Sequence, residues 1–117
     1  MLENSSLLGS WKNTLKSGHH MATLELTASG EVLQLHPVSD IDGRTVDWGL
    51  GTTTDLYNNK KDLTEIQGFV AYMQVEDRKA TLVGTVKLGV LVVQMLFSYE
   101  NAESGAPYFT REFFTKI

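Results

Sequence analysis

The run Lys79-Ala80-Thr81-Leu82-Val83-Gly84-Thr85-Val86-Lys87-Leu88-Gly89-Val90-Leu91-Val92-Val93-Gln94-Met95-Leu96-Phe97-Ser98-Tyr99 holds two ten-residue segments, rich in β-branched and apolar residues, on either side of Gly89. Neither segment carries the i, i+3, i+4 recurrence of an amphipathic helix. Both have strand length and strand composition, and Gly89 supplies the turn, so the run reads as a hairpin. Working outward, Glu76-Asp77-Arg78 separates it from a third segment, Glu65 to Val75, and Asn101 to Pro107 separates it from a fourth, Tyr108 to Lys116. Toward the N-terminus, Leu7 to Leu15, His20 to Thr27, Glu31 to Val38 and Arg44 to Thr53 show period-two patterning. Their breaks are Ser17-Gly18, Ala28-Ser29-Gly30 and Asp40-Ile41-Asp42-Gly43. The polar stretch Asn58 to Asp62 is the best loop, and Asp55 to Asn59 is ambiguous.

About eight strand-like runs with short turns and no convincing helix leave a sandwich or a closed barrel. Closure removes exposed sheet edges, which favours the barrel. The expected architecture is an all-β, eight-stranded antiparallel up-and-down β-barrel, formed by residues 1–117 as one domain. A chain of 117 residues has room for one core only. At 42% hydrophobic and 21% charged it is neither a disordered tail nor a membrane protein, and Gly89 to Phe97, broken by Gln94, is far too short to span a bilayer.

The formal net charge of −4 repels a phosphate backbone, so nucleic acid is not an expected partner. The absence of cysteine excludes disulfides, Cys-ligated zinc and thiol catalysis. Met1 to Ser6 has no basic segment leading into an apolar one, so a cytoplasmic location is expected. No metal or cofactor is expected either. His19-His20 lacks ligand spacing, and Asp40 to Gly43 starts like a calcium loop but lacks the later ligands and the terminal Glu. No Gly-x-Ser-x-Gly elbow or phosphate-cradling glycine loop occurs.

Gly9-Ser10-Trp11 is similar to the Gly-x-Trp shared by lipocalins, fatty-acid-binding proteins and avidins. The longer Leu8-Gly9-Ser10-Trp11-Lys12-Asn13-Thr14-Leu15-Lys16-Ser17 resembles the first strand and turn of avidin and streptavidin. Gly68 to Met73, Ala80 to Gly84 and the closing Phe113-Phe114-Thr115-Lys116-Ile117 resemble later strands of that family in the same order. The resemblance implies a binding barrel that packs side by side with copies of itself. It implies that Asn13 and Ser17 meet a ligand's ureido oxygen, with His36 at the position of a family tyrosine and Glu112 at that of an acid accepting from a ureido N–H. Two of the family's pocket tryptophans align with Met73 and Met95, and the nearest candidates for the third are Ser104 and Tyr108. Two further polar positions become Arg78 and Ala80. Methionines keep a pocket apolar and adaptable but lose the rigid aromatic faces that grip a bicyclic ring, so biotin is expected to bind weakly. Trp48 and Phe97 are the aromatic residues available to replace those walls.

Plainer roles stand beside these. Asn13 and Ser17 are residue types that cap hairpin turns, Met73 and Met95 are ordinary core fillers, and Glu112 sits next to Arg111, a ready surface partner. Strand parity adds a separate expectation: with Asn13, His36, Met73, Met95 and Glu112 inward, Leu33, Leu35, Val70, Tyr72, Val83, Val92, Leu96 and Phe113 point outward. An exterior so apolar predicts a subunit interface in a homodimer or homotetramer.

Three functions follow. The first is a non-catalytic module binding a cyclic urea or amide. The second is an isomerase or cyclase in which His36 and Glu112 move a proton inside the cavity. The third is a lipocalin-like carrier, favoured if Phe69, Met73, Leu82, Met95 and Phe97 line a lumen with no polar floor.

Overall fold

The computed structural model describes residues 6–15, 21–41, 43–59 and 62–117. Among these residues there are nine strands: β1 (Gly9–Asn13), β2 (Thr23–Ser29), β3 (Val32–Ile41), β4 (Arg44–Asp47), β5 (Gly51–Asn59), β6 (Asp62–Val75), β7 (Arg78–Lys87), β8 (Val90–Tyr99) and β9 (Tyr108–Lys116). One 3-10 turn, Ala102–Ser104, lies between β8 and β9. Strands pair antiparallel around the ring β2-β1-β9-β8-β7-β6-β5-β3, which closes through β2–β3. Eight strands therefore form the expected up-and-down barrel, and β4 pairs only with β3, outside it.

The hairpin read first from the sequence forms with Lys87 opposite Val90. Leu88 and Gly89 occupy its two loop positions at φ 54° and 80°. Two positive φ values match the right-handed twist of the flanking strands, which is why a glycine stands there. Inside the barrel, Leu7, Trp11, Leu24, Leu26, Leu33, Leu35, Phe69, Leu82, Leu91 and Phe114 pack into one buried cluster. Burying each such side chain stabilises the fold by about 1.5–3 kcal/mol. The Trp11 indole donates to the Leu7 carbonyl at 2.9 Å, so its N–H is satisfied within the core. Phe69 lies over Gly84, its cross-strand partner, where a Cβ would sit 2.4 Å from the ring.

The segment Arg44 to Thr53 is corrected: it is two strands, not one. Gly49 N donates to Asp47 Oδ1 at 2.8 Å and Gly49 takes φ 75°, so a side-chain-closed turn ends β4. Asp55 to Asn59, ambiguous in the sequence, belongs to β5.

The parity assigned to β3 is also corrected. Leu33, Leu35 and Ser39 are buried on the luminal side, and His36 lies on the outer wall. There its Nε2 is 2.7 Å from Asp47 Oδ1 and its Nδ1 is 4.0 Å from Glu25 Oε1. A one-residue change of register swaps the faces, and two leucines gain more from the interior than an imidazole with two carboxylates outside it.

On the remaining outward positions the parity holds. Tyr72, Thr81, Leu96 and Phe109 are cross-strand neighbours in one row over β6 to β9. Tyr72 is 74% exposed, Leu96 51% and Phe109 62%, with Phe113 nearby at 43%. Among the described residues no helix is long and apolar enough to cross a membrane.

Candidate functional site

β1 and β9 are neighbours, with Asn13 opposite Phe114, and this register sets Asn13 diagonally beside Glu112 on the luminal face. Asn13 Nδ2 donates to Glu112 Oε1 at 2.6 Å and to the Met21 carbonyl at 2.9 Å. Leu15 N donates to Asn13 Oδ1 at 2.9 Å. Asn13 thus does what the plainer reading requires, its carbonyl closing the local turn, while its amide holds the Glu112 carboxylate inside the barrel. Two residues along β9, Thr110 Oγ1 donates to Glu112 Oε2 at 2.7 Å. Glu112 is only 3% exposed, so it is no surface carboxylate paired with Arg111.

Both N–H groups of the Asn13 amide are occupied within the protein. The role implied by the resemblance, donation to a ligand oxygen, would therefore require breaking one of these bonds.

Above this cluster the lumen turns aromatic. Phe97 stacks on its cross-strand partner Tyr108 with ring centroids 5.0 Å apart and planes at 21°. Trp48 follows β4 and returns over the barrel, its ring 6.4 Å from that of Phe97. Its Nε1 donates to Ser39 Oγ at 2.6 Å, and Ser39 Oγ donates to Met21 Sδ at 3.2 Å. Met95 is buried opposite Thr110. Met73 lies across Gly51, where a Cβ would be 2.8 Å from its Cε.

Two register steps beyond Phe97 and Ala80, Arg78 faces Tyr99 across β7 and β8. Burial pushes the Tyr108 phenol well above its ordinary pKa. A hydrogen bond with Tyr99 and the charges of Tyr99 and Glu112 add to the rise, while Arg78 partly offsets it. Tyr108 is therefore a neutral phenol across the physiological range.

Of the residues singled out in the sequence, Asn13, Trp48, Met73, Met95, Phe97 and Glu112 gather on the luminal side of the barrel, and His36 does not. Ser17, like His19 and His20, lies outside the described residues. Ser39, Thr110 and Tyr99 were missed. Thr110 could have been found from Glu112 by strand parity alone, and Ser39 only once β3 is in the right register. Of the two candidates for the third tryptophan position, Tyr108 is luminal and Ser104 is exposed in the 3-10 turn.

Among the described residues no three His, Asp or Glu side chains converge as metal ligands. No family model, curated protein or solved structure matches the chain. Its class is thus defined by its architecture: a closed eight-stranded barrel with a carboxylate–amide cluster inside.

Proposed function

We propose that this barrel is a non-catalytic small-molecule binding module of the avidin-like kind, holding a cyclic urea or amide whose N–H groups face Glu112. One observation carries the reading: a carboxylate at 3% exposure, held by Asn13 and Thr110 within a barrel packed mainly with apolar side chains. A barrel kept only for its shape gains nothing from such a group, because replacing a buried ionic group by a well-packed apolar one is often neutral or stabilising. A fixed acceptor beside Trp48, Phe97, Met73 and Met95 suits a ligand with one polar edge and an apolar body. The isomerase reading depended on His36 and Glu112 sharing a cavity, and these two stand on opposite faces of the wall. The polar cluster likewise weighs against a carrier for purely apolar ligands.

The same resemblance, together with the exposed Tyr72, Leu96, Phe109 and Phe113, supports self-association through the β6–β9 wall as a homodimer or homotetramer. Calorimetry with ethylene urea and with biotin tests the ligand class. Binding should weaken by about 1.5–3 kcal/mol in Glu112→Gln, the worth of a hydrogen bond to a charged group. Biotin should bind weakly, since two lost aromatic walls at about 2–3 kcal/mol each amount to roughly three to four orders of magnitude. If neither compound binds, or if Glu112→Gln leaves affinity unchanged, the reading fails.

A further inference from the structure

β7 and β8 each span ten residues, from the end of the barrel near Trp48 and Phe97 to the opposite end, where Leu88 and Gly89 turn the chain. β9 carries Lys116 to that far end, opposite Trp11 of β1. A cavity of about 450 Å³ opens there, inside the ~300–1,000 Å³ range of small-molecule sites. Trp11, Val86 and Leu88 form its apolar side. Its polar side chains, Ser6, Gln67, Lys87 and Lys116, can all donate a hydrogen bond, and none of the described lining residues is acidic. In a chain with 14 acidic and 10 basic residues, this lining reverses the overall balance. The ion pairs among the described residues use His36, Arg44 and Lys79, so neither ammonium of the cavity is neutralised by one of them. Lys116 Nζ instead lies 5.3 Å from the centroid of the Trp11 ring.

Leu88 supplies a second observation. It is 95% exposed at φ 54°, in the first loop position of a turn that favours Asn, Asp or Gly there. Neither burial nor backbone preference accounts for a leucine at that position. An apolar body in the adjacent cavity does, because the Leu88 side chain lines it.

From this arrangement we infer that the far end of the barrel holds a second ligand site, separate from the Glu112 cluster, for a small amphiphilic oxyanion. The anionic head meets the Lys87 and Lys116 ammoniums, and the body lies against Trp11 and Val86 beside Leu88. Lysine ammoniums are point charges on flexible stems, so they select for negative charge more than for the shape of the head. A free small anion suits the site better than an anionic bilayer, because it meets the local lysines alone, whereas a bilayer also meets the net charge of −4.

The test is a ¹⁵N NMR titration of the full chain with two isosteric probes, cyclohexanecarboxylate and cyclohexanecarboxamide. The chain has two tryptophans, Trp11 at this end and Trp48 at the other, so their indole N–H signals report the two ends separately. The carboxylate should move the Trp11 indole and the Leu88 and Gly89 amides while leaving the Trp48 indole in place. It should bind about tenfold more tightly than the carboxamide at low salt, as two exposed ion pairs allow, and that ratio should shrink at high salt.

The double change Lys87→Gln and Lys116→Gln should bring the ratio close to one. Leu88→Asn suits the turn and should leave Tm unchanged or raise it, yet weaken both probes by roughly 3–10-fold with their ratio intact. The protein should stay in the supernatant when vesicles of phosphatidylcholine and phosphatidylglycerol are pelleted. Shifts confined to the Trp48 indole, no shift at all, equal affinity for the two probes, or a preference that survives the double lysine change would each overturn the inference. So would unchanged affinities in Leu88→Asn, or co-sedimentation with the vesicles, which would assign this end to a bilayer. The wild-type titration stands whether or not any variant folds.

Discussion

Asn13→Ala should be among the most destabilising substitutions of a polar residue in this protein, and its cost can be worked from three hydrogen bonds. The change deletes the 2.6 Å bond to Glu112, the 2.9 Å bond to the Met21 carbonyl and the 2.9 Å bond from Leu15 N. The first is charge-assisted, worth about 1.5–3 kcal/mol, and the others contribute about 0.5–1.5 kcal/mol each, giving roughly 2.5–6 kcal/mol in all. For 117 residues the unfolding entropy is about 0.25 kcal/mol/K, so a loss near 4 kcal/mol lowers Tm by about 15 °C. Glu112→Gln should behave differently. A glutamine can accept from Asn13 with its carbonyl and donate to Thr110 with its amide, since a hydroxyl serves in either role. Both bonds survive at neutral strength, a buried charge disappears, and the net change should stay within about 1.5 kcal/mol. In the Glu112→Gln background Asn13→Ala should then cost less by about 1–2 kcal/mol, the charge-assisted share. The assay is equilibrium unfolding of the ligand-free protein in guanidinium chloride, because urea belongs to the proposed ligand class. An Asn13→Ala cost below about 1 kcal/mol, or one unchanged in the Gln background, would refute a coupled cluster inside the barrel.

Three other outcomes are expected. Gly84→Ala places a Cβ 2.4 Å from the Phe69 ring and should cost about 1–3 kcal/mol by overpacking, a loss that Phe69→Leu should partly relieve in the double variant. Asp55 has a buried Oδ1 with no partner among the described residues, and burial raises its pKa. A raised carboxyl favours the protonated folded state, so stability falls as pH rises through this pKa. Asp55→Asn should accordingly stabilise the protein at neutral pH, with the advantage fading as pH drops through the ordinary carboxylate range, read from melts at several pH values. Leu96→Arg, in the exposed row with Tyr72 and Phe109, should shift the assembly toward monomer in sedimentation equilibrium, whereas a monomeric wild type at micromolar concentration removes the proposed interface.

The barrel was legible where alternation is strong and turns are short. β7 and β8 are joined by Leu88-Gly89, and their inward rows, Ala80-Leu82-Gly84 and Leu91-Val93-Met95-Phe97, follow from any one correctly faced residue. On β3 alternation points the right way, since Leu33-Gln34-Leu35-His36 puts both leucines on one face and the polar residues on the other. The facing implied by the resemblance, taken from the family tyrosine position at His36, is the opposite one and is off by one residue. The division of Arg44 to Thr53 is marked in the sequence by Gly49 and Gly51, and Gly49 takes φ 75° in a turn that the Asp47 side chain closes two residues on.

The same distinction accounts for what was missed at the mouth of the barrel. Asn13 and Glu112 could be singled out because the resemblance in the first and last strands runs through them, so each is reached along its own strand without any cross-strand register. Arg78, by contrast, looks in the sequence only like the loss of a small polar contact at one strand end. Its meaning comes from partners on other strands: Tyr99 across the β7–β8 register, and Tyr108, which the β8–β9 register sets against Phe97. Each pairing follows from hairpins whose loop lengths fix which residues face one another, so a one-residue slip in either would carry the phenols to the outer wall. The surroundings of Arg78 can therefore be read only after the registers on both sides of β8 are known. Here those registers set two phenols beside a buried guanidinium nitrogen that has no partner among the described residues, surroundings that no single strand of the sequence displays.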